Sequence, residues 1–210
     1  MASYDYHFVT QWRVRGDACE AYAVLSDAAD LPRWWPAVYL EANVIEPGDP
    51  ERHHAGQVVS LTTKGYLPYL LRWQFRVVEA EPCRRIALEP AGDFTGLGVW
   101  TLDQDGEWVR IVYDWNVQIN KPLLRRWSFL LRPVFAANHN WAMRTGLRSL
   151  QLELERRRAA TPEEHAQVEE PPQPTTTSVV PLTLAMSGFW IGLGLAAVAF
   201  YRWLRKRGWL

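Results

Sequence analysis

The chain has 210 residues, enough for one domain with a sizeable core and an appendage but short for two full domains. Lys plus Arg and Asp plus Glu number 23 each, so no net field gathers nucleic acid or an acidic substrate. Twelve tryptophans exceed what packing a small core requires, and large aromatic surfaces line apolar ligand sites or anchor at bilayer interfaces.

In chain order, FVTQWRVR reads as a first strand, and DACEAYAVLSD as a helix in which Asp17 and Glu20 have capping-box spacing. The short ADLPRWW follows and is closed by Pro36. Strand patterns then recur at VYLEANVIE, QVVSLTT, YLLRWQFRV, RRIALE, FTGLGVWTL and EWVRIVYDWNVQI. The alternation is clearest in two of them. Leu71, Trp73, Phe75 and Val77 share one face, and Val109, Ile111, Tyr113, Trp115, Val117 and Ile119 share another, opposite polar residues. Such strands form an antiparallel sheet wetted on one side only. Asp105-Gly106 is a two-residue hairpin signal. Gly92, Gly96 and Gly98 fit no phosphate-loop spacing and mark a bend or a close approach inside a strand.

The last long element is helical: KPLLRRWSFLL, a break around Pro133, then VFAANHNWAMRTGLRSLQLELERRR. Its stripe comprises Phe135, Asn138, His139, Ala142, Met143, Gly146, Leu147, Leu150 and Leu154, so an amide and an imidazole share a core face. KPLLRRWSFLL reads equally as a basic amphipathic helix on an anionic membrane and as half of a lid. Tyr66 and Tyr69 in KGYLPY read equally as a gate and as a hairpin tip. Cys19 falls in a predicted helix and Cys83 in a predicted turn, without C-x-x-C spacing, so neither a disulfide framework nor a zinc site is indicated. His53 and His54 in GDPERHHAG belong to a solvated loop, and no metal or cofactor is expected.

The order of strand, two short helices, six strands and a long helix resembles the helix-grip superfamily. It includes START lipid-transfer domains, the birch-pollen allergen, and polyketide cyclases and dehydratases. The resemblance spans roughly residues 4–158 and rests on element order, WWP, GDFTG and the final helix. It implies an α+β helix-grip fold, a curved antiparallel sheet of about seven strands wrapped on a long C-terminal helix. It also implies a cavity between sheet and helix for a lipid, isoprenoid or aromatic polyketide. The expected lining is Trp34, Trp35, Trp73, Phe75, Phe94, Trp100, Tyr113, Trp115, Phe135, Asn138, His139 and Met143. Binding is the leading reading. The rival is a cyclase or dehydratase with His139 as acid or base and Asn138 or Tyr113 steadying an enolate.

Residues 1–158 are thus the ligand-binding domain, and 159–177, rich in Pro, Glu and Thr, a flexible linker. A separate transmembrane helix is expected over 178–204, since 179–201 carry no charge and 23 residues at about 1.5 Å each span a bilayer core. Residues 205–210 form a basic tail. Gly188 and Gly192 permit a homodimer. Arg202, Arg205, Lys206 and Arg207 pull the C-terminus toward the cytoplasm, whereas a start without an apolar leader places the domain there. The expectation adopted is a single-pass C-terminal anchor with a cytoplasmic domain.

Overall fold

The computed structural model describes residues 6–66, 70–119 and 128–176, except the side chains at 94, 119 and 128–131. The expected membrane span, its Gly188 and Gly192, the basic tail, residues 121–127 of the basic amphipathic segment, and Tyr69 lie outside the described residues. Among the described residues no helix is long and apolar enough to cross a membrane.

Seven strands form one sheet: β1 (Tyr6–Arg15), β2 (Tyr39–Glu46), β3 (Val58–Lys64), β4 (Leu70–Glu81), β5 (Arg85–Gly92), β6 (Phe94–Asp105) and β7 (Trp108–Ile119). Every pairing is antiparallel, in the order β1-β7-β6-β5-β4-β3-β2. Between β1 and β2 lie α1 (Ala18–Ser26) and the single-turn α2 (Leu31–Trp34); after β7 comes α3 (Ser128–Arg158), then the short α4 (Pro162–Gln167). This is the α+β helix-grip arrangement.

Residues directly opposite in antiparallel strands share a face, so the register carries the apolar alternation across the sheet. Trp12, Ile111 and Leu102 form one such row, and Thr10, Tyr113 and Trp100 the next. The β6–β7 hairpin turns at Gly106 with φ of 61°, as Asp105-Gly106 requires. Asp17 caps α1 with both halves of a capping box.

Two expectations need correction. The helix does not break at Pro133; α3 runs through it, because a proline this near the start forfeits a single backbone bond. Cys19 and Cys83 are joined in a disulfide across 64 positions, which no spacing motif announces. The fold itself brings the first turn of α1 against the β4–β5 turn, where Cys83 takes a left-handed φ of 62°. The described part of the expected linker makes bonds back to the domain. Arg148 pairs with Glu169, Arg156 donates to the Glu169 carbonyl at 3.1 Å, and Lys64 Nζ donates to the Thr175 carbonyl.

At the far end of α3, the Glu153 carboxylate has only 2% of its side chain exposed and accepts from Arg33 at 2.6 and 2.8 Å and from Arg157 at 2.6 Å. Burial alone would raise this carboxyl, yet the bonds from Arg33 and Arg157 hold it below the usual range. Because Arg33 belongs to α2 and also binds Asp30, this knot ties the small helices to the long one.

Midway along α3, Gly146 meets Trp35: a Cβ at 146 would lie 2.2 Å from the indole. The Trp35 indole N–H donates to Thr145 Oγ1 at 3.3 Å, locking the ring in place. Alanine would ordinarily favour a helix by about 1 kcal/mol over glycine. Here Gly146→Ala is expected to lower the unfolding free energy by roughly 1–3 kcal/mol through overpacking, read by urea denaturation. A gain in stability would show that Trp35 is not seated against the helix.

Candidate functional site

The apolar face of the sheet is paved with rings. Trp35 packs edge-on to Trp12 and Tyr39, with centroids at 5.7 and 5.1 Å; Trp12 lies 5.1 Å from Trp100, which stacks on Tyr113 at 4.0 Å. Tyr113 continues to Trp115 at 5.5 Å, and Trp115 to Trp73 at 6.0 Å. Gly98 makes the pavement possible, since a Cβ there would fall 2.6 Å from the Trp115 ring and 2.8 Å from the Tyr113 hydroxyl. The glycines of β6 thus serve close approach, as their place inside a strand predicts.

Two phenols stand out in this wall. Tyr113 is buried, and its hydroxyl has no hydrogen-bond partner among the described residues. Tyr39, at the start of β2, likewise presents a hydroxyl without such a partner. Burial raises both phenols above their ordinary value, and the nearby Tyr39 raises Tyr113 further, so both keep their protons as donors. A deep donor without a protein acceptor is what a ligand oxygen satisfies.

Opposite the wall, α3 supplies Met143, which is buried, Phe135, edge-on to Tyr6 at 5.5 Å, and His139. The His139 ring stacks on Phe8 at 4.4 Å and shares a hydrogen bond with Thr10 Oγ1 at 3.2 Å. Burial depresses its pKa from 6.5 to about 4, so the imidazole is neutral under ordinary conditions. A base so weak, with a hydroxyl as its hydrogen-bond partner, is poorly equipped to abstract protons. Asp114 does not orient it: that carboxylate lies on the other face of β7, accepting from Asn116 and lying 3.1 Å from His7 Nε2.

Asn138 does not share the position of His139. Adjacent helix residues point about 100° apart, and Asn138 packs on the opposite flank, where a Cβ on Gly65 would strike its amide at 2.2 Å. There an apolar groove of about 530 Å³ opens between Tyr66 and the first turns of α3, lined by Pro133, Val134, Ala137, Asn138, Trp141 and Arg144. The single sequence stripe is thus split between two flanks of the helix. The β1 flank carries a second groove of about 530 Å³, with Thr10, Gln11, Trp12 and Leu147 among its lining.

Of the expected lining, Trp35, Trp73, Trp100, Tyr113 and Trp115 join one ring cluster, with Phe75 beside Trp73 at 6.1 Å. Trp34 is 1% exposed and lies 5.4 Å from Trp35, and its indole nitrogen is buried without a hydrogen-bond partner among the described residues. Phe94 is placed only as the β6 position opposite Ile119. Tyr39, Trp12 and Thr10 were missed. Trp12 and Thr10 follow from the alternation of FVTQWRVR, whereas nothing in Tyr39's neighbourhood signals depth. His53 and His54 both adopt left-handed φ in an exposed loop, and no metal-binding cluster occurs among the described residues.

The profile of a family described as polyketide cyclase / dehydrase and lipid transport matches residues 6–155. No curated protein matches the sequence. Among solved structures, TTHA0849 from Thermus thermophilus is 16% identical with a TM-score of 0.62, covering 73% of this chain and 100% of that one. The Zhui aromatase/cyclase from Streptomyces sp. R1128 is 19% identical with a TM-score of 0.59, covering 74% of this chain and 96% of that one. The di-domain ARO/CYC StfQ from the steffimycin biosynthetic pathway is 20% identical with a TM-score of 0.53, covering 72% and 51%. At these identities the likeness is one of fold.

Between pH 6.5 and 4 the unfolded chain binds a proton that folded His139 refuses, so its stability contribution is complete above that window and falls as pH drops through it. The loss is expected to reach on the order of 3 kcal/mol. Unfolding free energy measured across this range should decline less steeply in His139→Gln; equal slopes in the two proteins would mean that His139 titrates normally.

Proposed function

Because the chain belongs to the polyketide cyclase/dehydrase and lipid transport family through residues 6–155, we propose that it binds a hydrophobic small molecule between sheet and α3. The class is a lipid, isoprenoid or aromatic polyketide that carries an oxygen acceptor. The observation behind this reading is the Tyr39 and Tyr113 pair, two protonated donors set among indoles and lacking acceptors among the described residues. Rings on several sides select a flat or extended apolar body, and the phenols orient it through its carbonyl or hydroxyl oxygens. Binding is preferred to turnover because His139 is neutral, weakly basic and paired with Thr10. The cyclase/dehydratase alternative draws on the family's name and predicts chemical conversion of the bound molecule.

Mass spectrometry of organic extracts from the purified full chain should reveal a co-purifying apolar molecule with at least one oxygen. Tyr39→Phe and Tyr113→Phe should each weaken its rebinding roughly threefold to tenfold, the worth of one net hydrogen bond. Stability should be preserved, since neither hydroxyl bonds a described residue. An empty extract together with no uptake of an apolar dye would return the interior to plain packing, and a chemically altered ligand would favour the enzyme.

The proposal includes attachment to a membrane through residues 178–204, supported by their length and lack of acidic residues. On sidedness we depart from the cytoplasmic expectation. The Cys19–Cys83 disulfide suits an oxidising compartment, and a basic tail held in the cytoplasm leaves the domain on the opposite side. Protease added outside sealed, right-side-out cell membranes should then digest residues 1–158; full protection there, with digestion only after lysis, would restore the cytoplasmic placement.

A further inference from the structure

The segment after α3 leads back along the domain instead of away from it. After α4, Glu169 is held by Arg148 and Arg156, Pro171 is buried, and the Thr175 carbonyl accepts from Lys64, the last residue of β3. The chain therefore leaves the domain beside the β3–β4 turn. Two residues after Lys64 stands Tyr66, 60% exposed, with its ring 6.0 Å from Trp141. Val134, 41% exposed, lines the same groove.

The uncharged stretch 179–201 begins four residues after Thr175. Four residues reach at most about 14 Å, so Thr175, held at Lys64, leaves only a short length of chain before that stretch. The charge of that end agrees. Arg144 lines the groove, and Arg132 is exposed in the first turns of α3. The antiparallel order puts the β3–β4 turn and the start of α3 at one end of the sheet and the β6–β7 turn at the other.

We propose that the groove between Tyr66 and α3 is a docking surface for an anionic lipid bilayer, with the domain seated mouth-down beside its own membrane segment. This rests on the reading of 178–204 as a span. An exposed aromatic, an apolar groove and neighbouring arginines are what such an interface uses, the rings entering the headgroup region and the cations meeting lipid phosphates. The apolar ligand then has a path from acyl chains to groove that crosses no bulk water.

The test uses the full chain reconstituted into phosphatidylcholine vesicles containing about one third phosphatidylglycerol, an anionic surface of ordinary strength. An environment-sensitive probe is attached at Tyr66→Cys or, as a control at the opposite end, at Glu107→Cys, and quenched by lipids spin-labelled near the headgroup. Emission at 66 should fall roughly twofold or more, as for a ring buried in the interface, with little change at 107. Added salt or omission of phosphatidylglycerol should reduce the quenching at 66. Equal or absent quenching at both sites, in protein that stays with the vesicles through an alkaline wash, would overturn the docking proposal while leaving the anchor intact. Release of the protein by that wash would overturn the anchor and the docking proposal together.

Discussion

The placement of Trp35 beneath Gly146 governs the rest of the structure. A curved sheet with one apolar face needs a cover, and the helix reaches it only where a side chain is missing from one of the two surfaces. The vacancy on α3 admits the indole of the segment after α2, which then touches Trp12 on β1 and Tyr39 on β2. One ring thus joins both edge strands to the helix. A second omission, at Gly98, lets Tyr113 and Trp115 lie over β6. Both glycines are replaced in space by aromatic rings, so the depth of the Tyr39 and Tyr113 hydroxyls follows from how closely the layers approach.

Much of this was legible in the sequence, for a local reason. β4 and β7 announce themselves because a sheet wetted on one side imposes a two-residue period, and their inward faces match the alternation of Trp73, Phe75, Val77 and of Val109 through Val117. Asp17 and Gly106 mark their elements because a helix start and a tight hairpin constrain side-chain chemistry within a few residues. The illegible parts depend on contacts between distant segments. Cys19 and Cys83 meet only once α1 sits at one end of the finished sheet. Lys64 finds Thr175 across 111 positions, a meeting that composition does not announce.

The helix stripe shows the limit of periodicity at higher resolution. Asn138 and His139 both belong to a broad apolar face, but the sheet wraps α3, and neighbours on that face end on opposite flanks. Periodicity says which residues turn inward; it does not say which wall each one meets. The polar character of the two positions has separate causes: the amide abuts a glycine backbone, and the imidazole bridges Phe8 and Thr10. Tyr39 was invisible for the complementary reason, since its depth comes from Trp35, four residues earlier and in another element.

The ring of charges around Glu153 has a mechanical corollary. Arg33, Arg157 and Arg156 bind one carboxylate at the C-terminal end of α3, whereas residues 132–134 near the other end are exposed. The clamp on the small helices and the groove beside Tyr66 thus lie some twenty residues apart on one helix, about 30 Å along the axis, so a change at either leaves the contacts of the other in place.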